Sequence, residues 1–512
     1  MTHRWIPAVL PLLALLGGLA AAGEQGAKLS EPFAVASQAE GGLPQYHAQA
    51  AWSAHAKVWL VVWQQGDPTG DETANGGRSQ DIYATRVDAD GKVLDPKGIA
   101  VCAAKDFQGR PAVASDGKDF LVVWHDLRTG KDWDLYAARV SGEGKVLDAD
   151  GFLVAGGAYN QCLPDLVFGG GSYYAAWLDM RHFPEYRVYG ARVSASGKVL
   201  DAQGTEIIRL MSDSEREAWR TAPFSPGKYG TGWHDFGKKG MDGMRQPGPP
   251  RLATNGKRHL VIAHGGPPPS RGPVREVLRV VDAGTGRPQG GPVGLLTSKK
   301  YDTTALQRHH SYSPIVGVGK KGFLCAQYRY LHAFGSGGQA LWLACSIGPD
   351  GRPVTEKQEK VTVARMRLVY ADGIQRVVGY RTFGCRPNTV ILASDGERVL
   401  YVSERQLQVV PKGGRLKADI DILGIIVDAE GHRYSDLAAG KVVEQDTYKS
   451  LGGTRFEIVG GVKVEPFKIA AGPDYQAAPA AAAGSEGSFL VVWQEEALGK
   501  GSRIMARLVR AK

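Results

Sequence analysis

The amino-acid sequence predicts an all-β fold: a single β-propeller of about seven four-stranded blades, closed by pairing of the N-terminal strand with the last blade. Three observations lead to this prediction. A pattern recurs every 53 to 61 residues, each copy has the composition of short strands and tight turns, and one short string occurs near both ends of the chain. Together they predict both the fold class and the way the ring closes.

The repeat is clearest in residues 45–210. An apolar run ending in Trp is followed by a Tyr-containing segment and then by a Gly-Lys-Val-Leu-Asp turn. The three copies read "WLVVWQQ" (59–65) with "DIYATRVDADGKVLD" (81–95), "FLVVWHD" (120–126) with "DLYAARVSGEGKVLD" (134–148), and "YYAAWLD" (173–179) with "RVYGARVSASGKVLD" (187–201). A repeat of this length with about four strands is typical of a propeller blade.

Composition within each copy indicates β-structure. "FLVVW" is a short continuous apolar run, as in a strand covered on both faces, and the Gly-containing turns supply the positive φ that hairpins need. Diverged copies continue along the chain, and six of them begin with a similar string. These are "RPAVA" (110–114), "LPDLV" (163–167), "PPRLA" (249–253), "SPIVG" (313–317), "RPNTV" (386–390) and "APAAA" (478–482). With one unmarked start near residues 49–52, they predict seven blades.

The string "EPFAVAS" (31–37) returns as "EPFKIAA" (465–471). The second copy lies where the outer strand of the sixth blade belongs, whereas the last blade runs out of sequence before its own outer strand. A spare outer strand at one end and a missing one at the other predict that the N-terminal strand completes blade seven. Such closure leaves no unpaired sheet edge between the two ends.

Residues 1–22 have a short basic start, an apolar run too short to span a membrane and a small-residue cleavage site near Ala22, which predicts a signal peptide. We therefore expect residues 23–512 to form one secreted or periplasmic propeller domain, a monomer with no transmembrane segment. Insertions are expected at about 210–248, 364–384 and 432–463. The net charge of +10 is spread along the chain, which favours attraction to acidic glycans or proteins over nucleic-acid binding.

The chain has five cysteines, too few for a disulfide scaffold. Cys325 and Cys345 are predicted on adjacent strands, where either one disulfide or two buried thiols is possible. No spacing suggests zinc, and no nucleotide-binding fingerprint is present. "DADG" (88–91) could bind calcium, but the equivalent turns "SGEG" and "SASG" form without the Asp residues. We therefore predict no metal and no cofactor.

The loops joining the second and third strands, and those joining one blade to the next, vary most. Variable loops on a rigid scaffold usually serve binding, so this face is the predicted binding face. Aromatic, basic and amide residues lie beside the starts of the innermost strands, near the predicted axis. The candidate ligand-binding residues are Tyr46, Arg110, Gln161, His310, Tyr312, Arg386 and Tyr475. Each could instead pack between blades.

Asp126 and Asp179 follow the repeated Trp by two residues, and each precedes an Arg by two (Arg128 and Arg181). Paired carboxylates could serve glycoside cleavage. A catalytic pair is usually an exception to a repeat, however, and these two residues follow it. We therefore interpret them as structural ion pairs at the blade rims and predict no catalytic residue. The alternative is a carbohydrate-active enzyme, hydrolase or lyase, using Asp126, Asp179 or Glu495.

The string "FLVVWHDLRTGKDWDLYAARVSGEGKVLDADG" (120–151) resembles the repeats of secreted bacterial β-propeller proteins, loosely those of the TolB type. The resemblance implies a seven-bladed propeller and an extracytoplasmic binding role. It implies no reaction, because propellers serve both as enzymes and as scaffolds. The expected partner is a glycan or an extracellular protein.

Overall fold

The computed structural model describes residues 27–36, 43–66, 80–183, 185–210, 249–265, 275–294, 314–333, 337–358, 361–364, 366–375, 390–409, 417–432, 448–450, 456–458, 466–471, 475–497 and 501–512. The predicted signal peptide and the predicted insertion at 210–248 lie outside these ranges, except for residue 210. Within them, no helix is long and apolar enough to cross a membrane. One 3-10 turn, Gly319–Lys321, accompanies the strands.

The structure confirms a seven-bladed β-propeller of four-stranded antiparallel sheets. We letter the strands of each blade a to d from the axis outward. In blade 1, strands a to d are Gln45–Ser53, Val58–Gly66, Gln80–Asp88 and Ile99–Cys102. In blade 2 they are Gln108–Ser115, Phe120–Asp126, Asp134–Val140 and Phe152–Ala155. In blade 3 they are Gln161–Gly169, Ser172–His182, Glu185–Val193 and Thr205–Arg209.

Blades 4 to 6 follow the same plan. In blade 4, strands a to d are Arg251–Thr254, Arg258–Gly265, Arg275–Asp282 and Pro288–Gly294. In blade 5 they are Ile315–Gly317, Phe323–Ala333, Gly337–Ile347 and Met366–Gln375. In blade 6 they are Val390–Ser394, Arg398–Val409, Lys417–Asp428 and Phe467–Ala470. A small hairpin precedes the outer strand in each of two blades. In blade 5 it pairs Thr355–Gln358 with Val361–Ala364, and in blade 6 it pairs Tyr448–Ser450 with Phe456–Ile458. The outer strand of blade 5 therefore lies inside the segment 364–384, which the sequence predicted to be an insertion between blades.

Blade 7 combines both ends of the chain. Its strands a to c are Tyr475–Ala483, Ser488–Ala497 and Gly501–Ala511, and its outer edge is formed by Ala27–Leu29 and Phe33–Ala34. Ala27 pairs with Ala511 and Phe33 pairs with Ala506. The predicted closure of the ring by the N-terminal strand is thus confirmed, and "EPFKIAA" supplies the outer strand of blade 6, as expected.

Neighbouring blades bury one another's apolar faces. Between blades 2 and 3, Leu121 and Val123 of one sheet pack in the same cluster as Tyr173 and Trp177 of the next. The side chains of Trp63, Trp124 and Trp177 are all fully buried. Because each middle strand is covered on both sides, it reads as a continuous apolar run in the sequence.

Salt bridges that the sequence analysis missed tie the c–d turns of blades 1 to 3 to their own sheets. Arg139 donates from Nε and Nη2 to both carboxylate oxygens of Asp148, at 2.8 Å each. Arg86 with Asp95 and Arg192 with Asp201 repeat the pair with the same spacing of nine residues. Hydrogen bonding from Arg139 lowers the pKa of Asp148, as expected for a carboxylate with a fixed cationic partner.

The four described cysteines, Cys102, Cys162, Cys325 and Cys345, are buried thiols. Cys325 and Cys345 are direct register partners on strands 5b and 5c. The sequence placed them side by side, and the structure agrees with that placement.

The buried His259 should make the stability of the folded protein sensitive to acid. Its side chain is fully buried, it stacks on Tyr174 with ring centroids 4.9 Å apart, and neither ring nitrogen has a hydrogen-bond partner among the described residues. Burial lowers the pKa of His259 to about 4, below the value of about 6.5 in an unfolded chain. The unfolded state therefore binds the proton first as pH falls, so stability is retained above pH 6.5 and lost progressively between pH 6.5 and 4.

We expect the free energy of unfolding to fall by about 2 kcal/mol between pH 7 and pH 5 through this residue. His259→Phe should reduce that loss, since it keeps the stacked ring and removes the titrating group. Denaturant unfolding at the two pH values measures it, with exposed His55→Gln as the control. An equal loss in the His259→Phe protein and the wild type would contradict the assignment.

Candidate functional site

The a strands begin at the face that carries the b–c and d–a loops, which we call the upper face. Of the predicted ligand-binding residues, Tyr46 and Arg110 are half-buried near the starts of strands 1a and 2a. Gln161 is fully buried. Tyr475 begins strand 7a, while His310, Tyr312 and Arg386 lie outside the described residues.

A β-bulge recurs near the start of the a strand in four blades. In each, the sheet register shifts at a residue with positive φ that is not glycine: His47 (52°), Arg110 (53°), Leu163 (55°) and Ala478 (50°). Positive φ at such residues costs on the order of 1–3 kcal/mol each, so surrounding contacts must hold it. Bulges of this kind re-aim a side chain.

A side chain from the preceding blade holds each of three bulges. The backbone N–H of Arg110 donates to Gln64 Oε1 (2.8 Å), that of Leu163 to His125 Nδ1 (3.5 Å), and that of Ala478 to Glu404 Oε1 (2.5 Å). His125 must be neutral at Nδ1 to accept this bond. Its burial, helped by the charge of Arg110, lowers the pKa of His125 to about 3 and keeps it neutral.

Blades 1 and 2 use this common bulge to bring cationic and aromatic groups together. Arg110 Nη1 donates to His47 Nδ1 at 3.2 Å, and the Tyr46 ring centroid lies 6.5 Å from that of His47. The equivalent bulge positions in blades 3 and 7 carry Leu163 and Ala478. The bulge thus forms in blades 3 and 7 without a basic side chain. The fold therefore does not require the basic pair His47 and Arg110.

Gln161 is one of several buried glutamines that recur near the start of the a strands. Gln45, Gln108, Gln161 and Gln476 occupy equivalent positions and are all buried. Gln161 Nε2 donates to the backbone oxygens of Ala158 and Tyr159, at 3.4 and 3.1 Å, and Gln108 Nε2 donates to that of Lys105. The described contacts of Gln161 thus fix the loop before strand 3a.

Asp126 and Asp179 are fully buried, with every carboxylate oxygen engaged. Asp126 accepts hydrogen bonds from Trp124 Nε1 (2.8 Å), from the backbone N–H of Arg128 (2.9 Å) and from its guanidinium (2.9 and 2.6 Å). Asp179 accepts the same set from Trp177 and Arg181. These carboxylates hold the b–c turns.

The remaining acidic candidates also have local partners. Glu495 Oε1 accepts a hydrogen bond from Arg503 Nε at 2.9 Å. Asp88 Oδ1 accepts the backbone N–H groups of Asp90 and Lys92, which closes the "DADG" turn. The described part of the chain contains no group of three or more side chains suited to hold a metal ion.

No protein-family model and no curated protein matches this chain. Solved structures resemble it in fold. A Dyadobacter fermentans protein of unknown function shares 10% identity at a TM-score of 0.42, covering 95% of this chain and 100% of that one. The β-propeller domain of the Trilobed protease from Pyrococcus furiosus shares 8% at 0.38, covering 94% and 95%. The α-L-arabinofuranosidase Arb93A of Fusarium graminearum shares 9% at 0.39, covering 77% and 98%. Similarity this low gives no information on function.

Proposed function

We propose that this protein is an extracytoplasmic binding propeller whose upper face engages an acidic glycan or an acidic protein surface. The observation that carries the proposal is the contact between Arg110 and His47. The same bulge recurs in four blades, yet only the two adjacent blades 1 and 2 place basic side chains on it among the four. Residues that depart from a repeat while its backbone is retained are the best candidates for function.

Electrostatics favour an anionic ligand there. Arg110 is half-buried, so its charge is less screened than that of a fully exposed lysine. Arg110 carries a guanidinium, whose forked N–H donors suit the geometry of a carboxylate or sulfate. The overall positive charge of the chain adds a longer-range attraction.

Of the rival functions, glycoside hydrolysis typically needs two carboxylates that face one substrate bond. Asp126 and Asp179 are fully buried and bonded to Trp and Arg, so neither meets that requirement in this structure. This geometry supports binding over hydrolysis by the Asp126 and Asp179 pair.

Arg110→Ala should weaken binding to sulfated and uronic-acid polysaccharides about tenfold at low salt, because a charge-assisted contact is lost. Binding measured between 20 and 300 mM salt should also show a shallower salt dependence in the variant. Lys118→Ala removes the same charge from an exposed a–b turn on the opposite face and serves as the matched control. Equal losses in the two variants would refute a specific site at Arg110.

A further inference from the structure

We propose that Tyr159 and Phe183 form a stacking subsite for a pyranose ring of the bound partner. This inference rests on the proposed function and deepens it, because it identifies the partner as a polysaccharide and not a protein. Among the described side chains of Phe, Tyr and Trp, these two are the exposed ones, with exposed fractions of 47% and 41%. They come from different loops of blade 3 and meet with ring centroids 5.4 Å apart and planes inclined by 16°.

Blade 2 shows that the fold does not require these rings. Each of its residues corresponds to the residue 53 positions later in blade 3, so Asp106 corresponds to Tyr159 and Gly130 to Phe183. Asp106 and Tyr159 share the left-handed conformation, with φ of 65° and 62°. The turn bond from Gly130 N–H to the Leu127 oxygen (2.7 Å) likewise matches that from Phe183 N–H to the Met180 oxygen (2.8 Å).

The loops under the rings are firmly held. The Met180 N–H donates to the backbone oxygen of Asn160 at 2.9 Å, which joins the b–c turn to the d–a loop. Asn160 Oδ1 accepts the backbone N–H of Trp133 at 3.0 Å, and the buried Gln161 amide donates to the Tyr159 oxygen. The rings are therefore presented on a preorganised base, which lowers the entropic cost of binding. Gln161 acts here as a positioning residue.

The size and setting of the pair point to a sugar ring. Two half-exposed aromatic side chains present on the order of 200 Å² of apolar surface, far less than the ~800 Å² per partner of a stable protein interface. In sequence, the rings are flanked by exposed His182, Gly157 and Ala158, none of which is a large apolar residue. A pyranose ring offers a matching small flat face of C–H groups, with hydroxyls around its rim to reach polar neighbours.

The two sites lie on the adjacent blades 2 and 3. The Leu163 N–H of strand 3a donates to His125 Nδ1 at 3.5 Å, and His125 pairs in its own sheet with Gly109, the residue before Arg110. Leu163 comes two residues after Gln161, which holds the backbone of Tyr159. One polysaccharide could thus place an acidic group at Arg110 and a sugar ring on the aromatic pair.

The test compares two acidic polymers, polygalacturonate, which has pyranose rings, and polyglutamate, which has none. We expect the wild-type protein to bind polygalacturonate about tenfold more tightly, at equal carboxylate concentration and low salt. Tyr159→Asn with Phe183→Gly should remove that preference without changing the melting temperature. These substitutions follow the pattern of blade 2, and Asn keeps the charge unchanged while tolerating positive φ. Arg110→Ala should weaken binding of both polymers and keep the preference.

A double variant that retains the tenfold preference overturns the aromatic subsite and leaves the basic site intact. Binding of the two polymers that neither Arg110→Ala nor added salt weakens overturns the proposed acidic recognition; a preference for polygalacturonate in that case still supports the subsite. Wild-type protein that binds the two polymers equally contradicts the subsite, and protein that binds neither contradicts both proposals. Phe183→Leu, which keeps apolar bulk but removes the flat ring, should also lose most of the preference; full retention would exclude ring stacking.

Discussion

Protein that begins at residue 38 should melt about 5 °C below protein that begins at residue 23. The missing segment supplies the outer edge of blade 7, where Ala27 and Val35 are fully buried. Its backbone is bonded to strand 7c, for example from Ser30 N–H to the Leu508 oxygen (3.0 Å) and from Val35 N–H to the Ile504 oxygen (3.1 Å). Loss of this burial and hydrogen bonding should lower the free energy of unfolding by about 5 kcal/mol.

Truncation should also expose strand 7c as an unpaired edge, so the shortened protein is expected to self-associate. Calorimetry and size-exclusion chromatography on both proteins measure the two effects. A protein that begins at residue 27 is the control, because it lacks the preceding residues and keeps both pairing strands. Identical melting of the three proteins would contradict the closure of the ring by these strands.

Asp126→Asn should destabilise the protein by about 3 kcal/mol. The substitution leaves the Arg128 guanidinium and Trp124 Nε1 facing an uncharged group whose NH₂ cannot accept their hydrogen bonds. Removing one partner of a buried ion pair typically costs 3–5 kcal/mol, and the partial exposure of Arg128 reduces that figure. Denaturant unfolding of the variant measures the loss.

The double variant Asp126→Asn/Arg128→Leu should be less destabilised than the sum of its two single variants, since no unpaired charge remains. Additive losses would show that the two side chains do not interact. The same proteins separate the structural role from the catalytic one. A catalytic Asp126 predicts a measurable polysaccharide depolymerisation that Asp126→Asn abolishes while the melting temperature stays unchanged.

The regular parts of the fold could be predicted from the sequence because each has a signal that recurs. Trp63, Trp124 and Trp177 mark the buried b strands, and the repeated "EPF" string marks the closure of the ring. The outer strand of blade 5 was misplaced because the chain first makes an additional hairpin. Periodicity does not distinguish a hairpin strand from a blade strand of similar length.

The candidate site was harder to predict from the sequence, because it depends on contacts between loops. Tyr159 and Phe183 lie 24 residues apart, and no sequence pattern states that their rings meet. The bulge at Arg110 has positive φ without glycine, so it lacks the usual signal. The Arg139–Asp148 pair could have been found, since Arg and Asp recur nine residues apart in three copies.

The closure of blade 7 also constrains the order in which the protein folds. Ala27 pairs with Ala511, so the first strand of the described chain is separated from its partner by 484 residues. At ordinary rates of translation the partner strand is made roughly 25 to 100 s after the N-terminal one. Blades 1 to 6 contain only strands that are close in sequence and can form during that interval. Phe33 and Val35 have no sheet to join until strand 7c has been made, so we expect ring closure to follow the folding of blades 1 to 6 and this apolar segment to be open to chaperones until then.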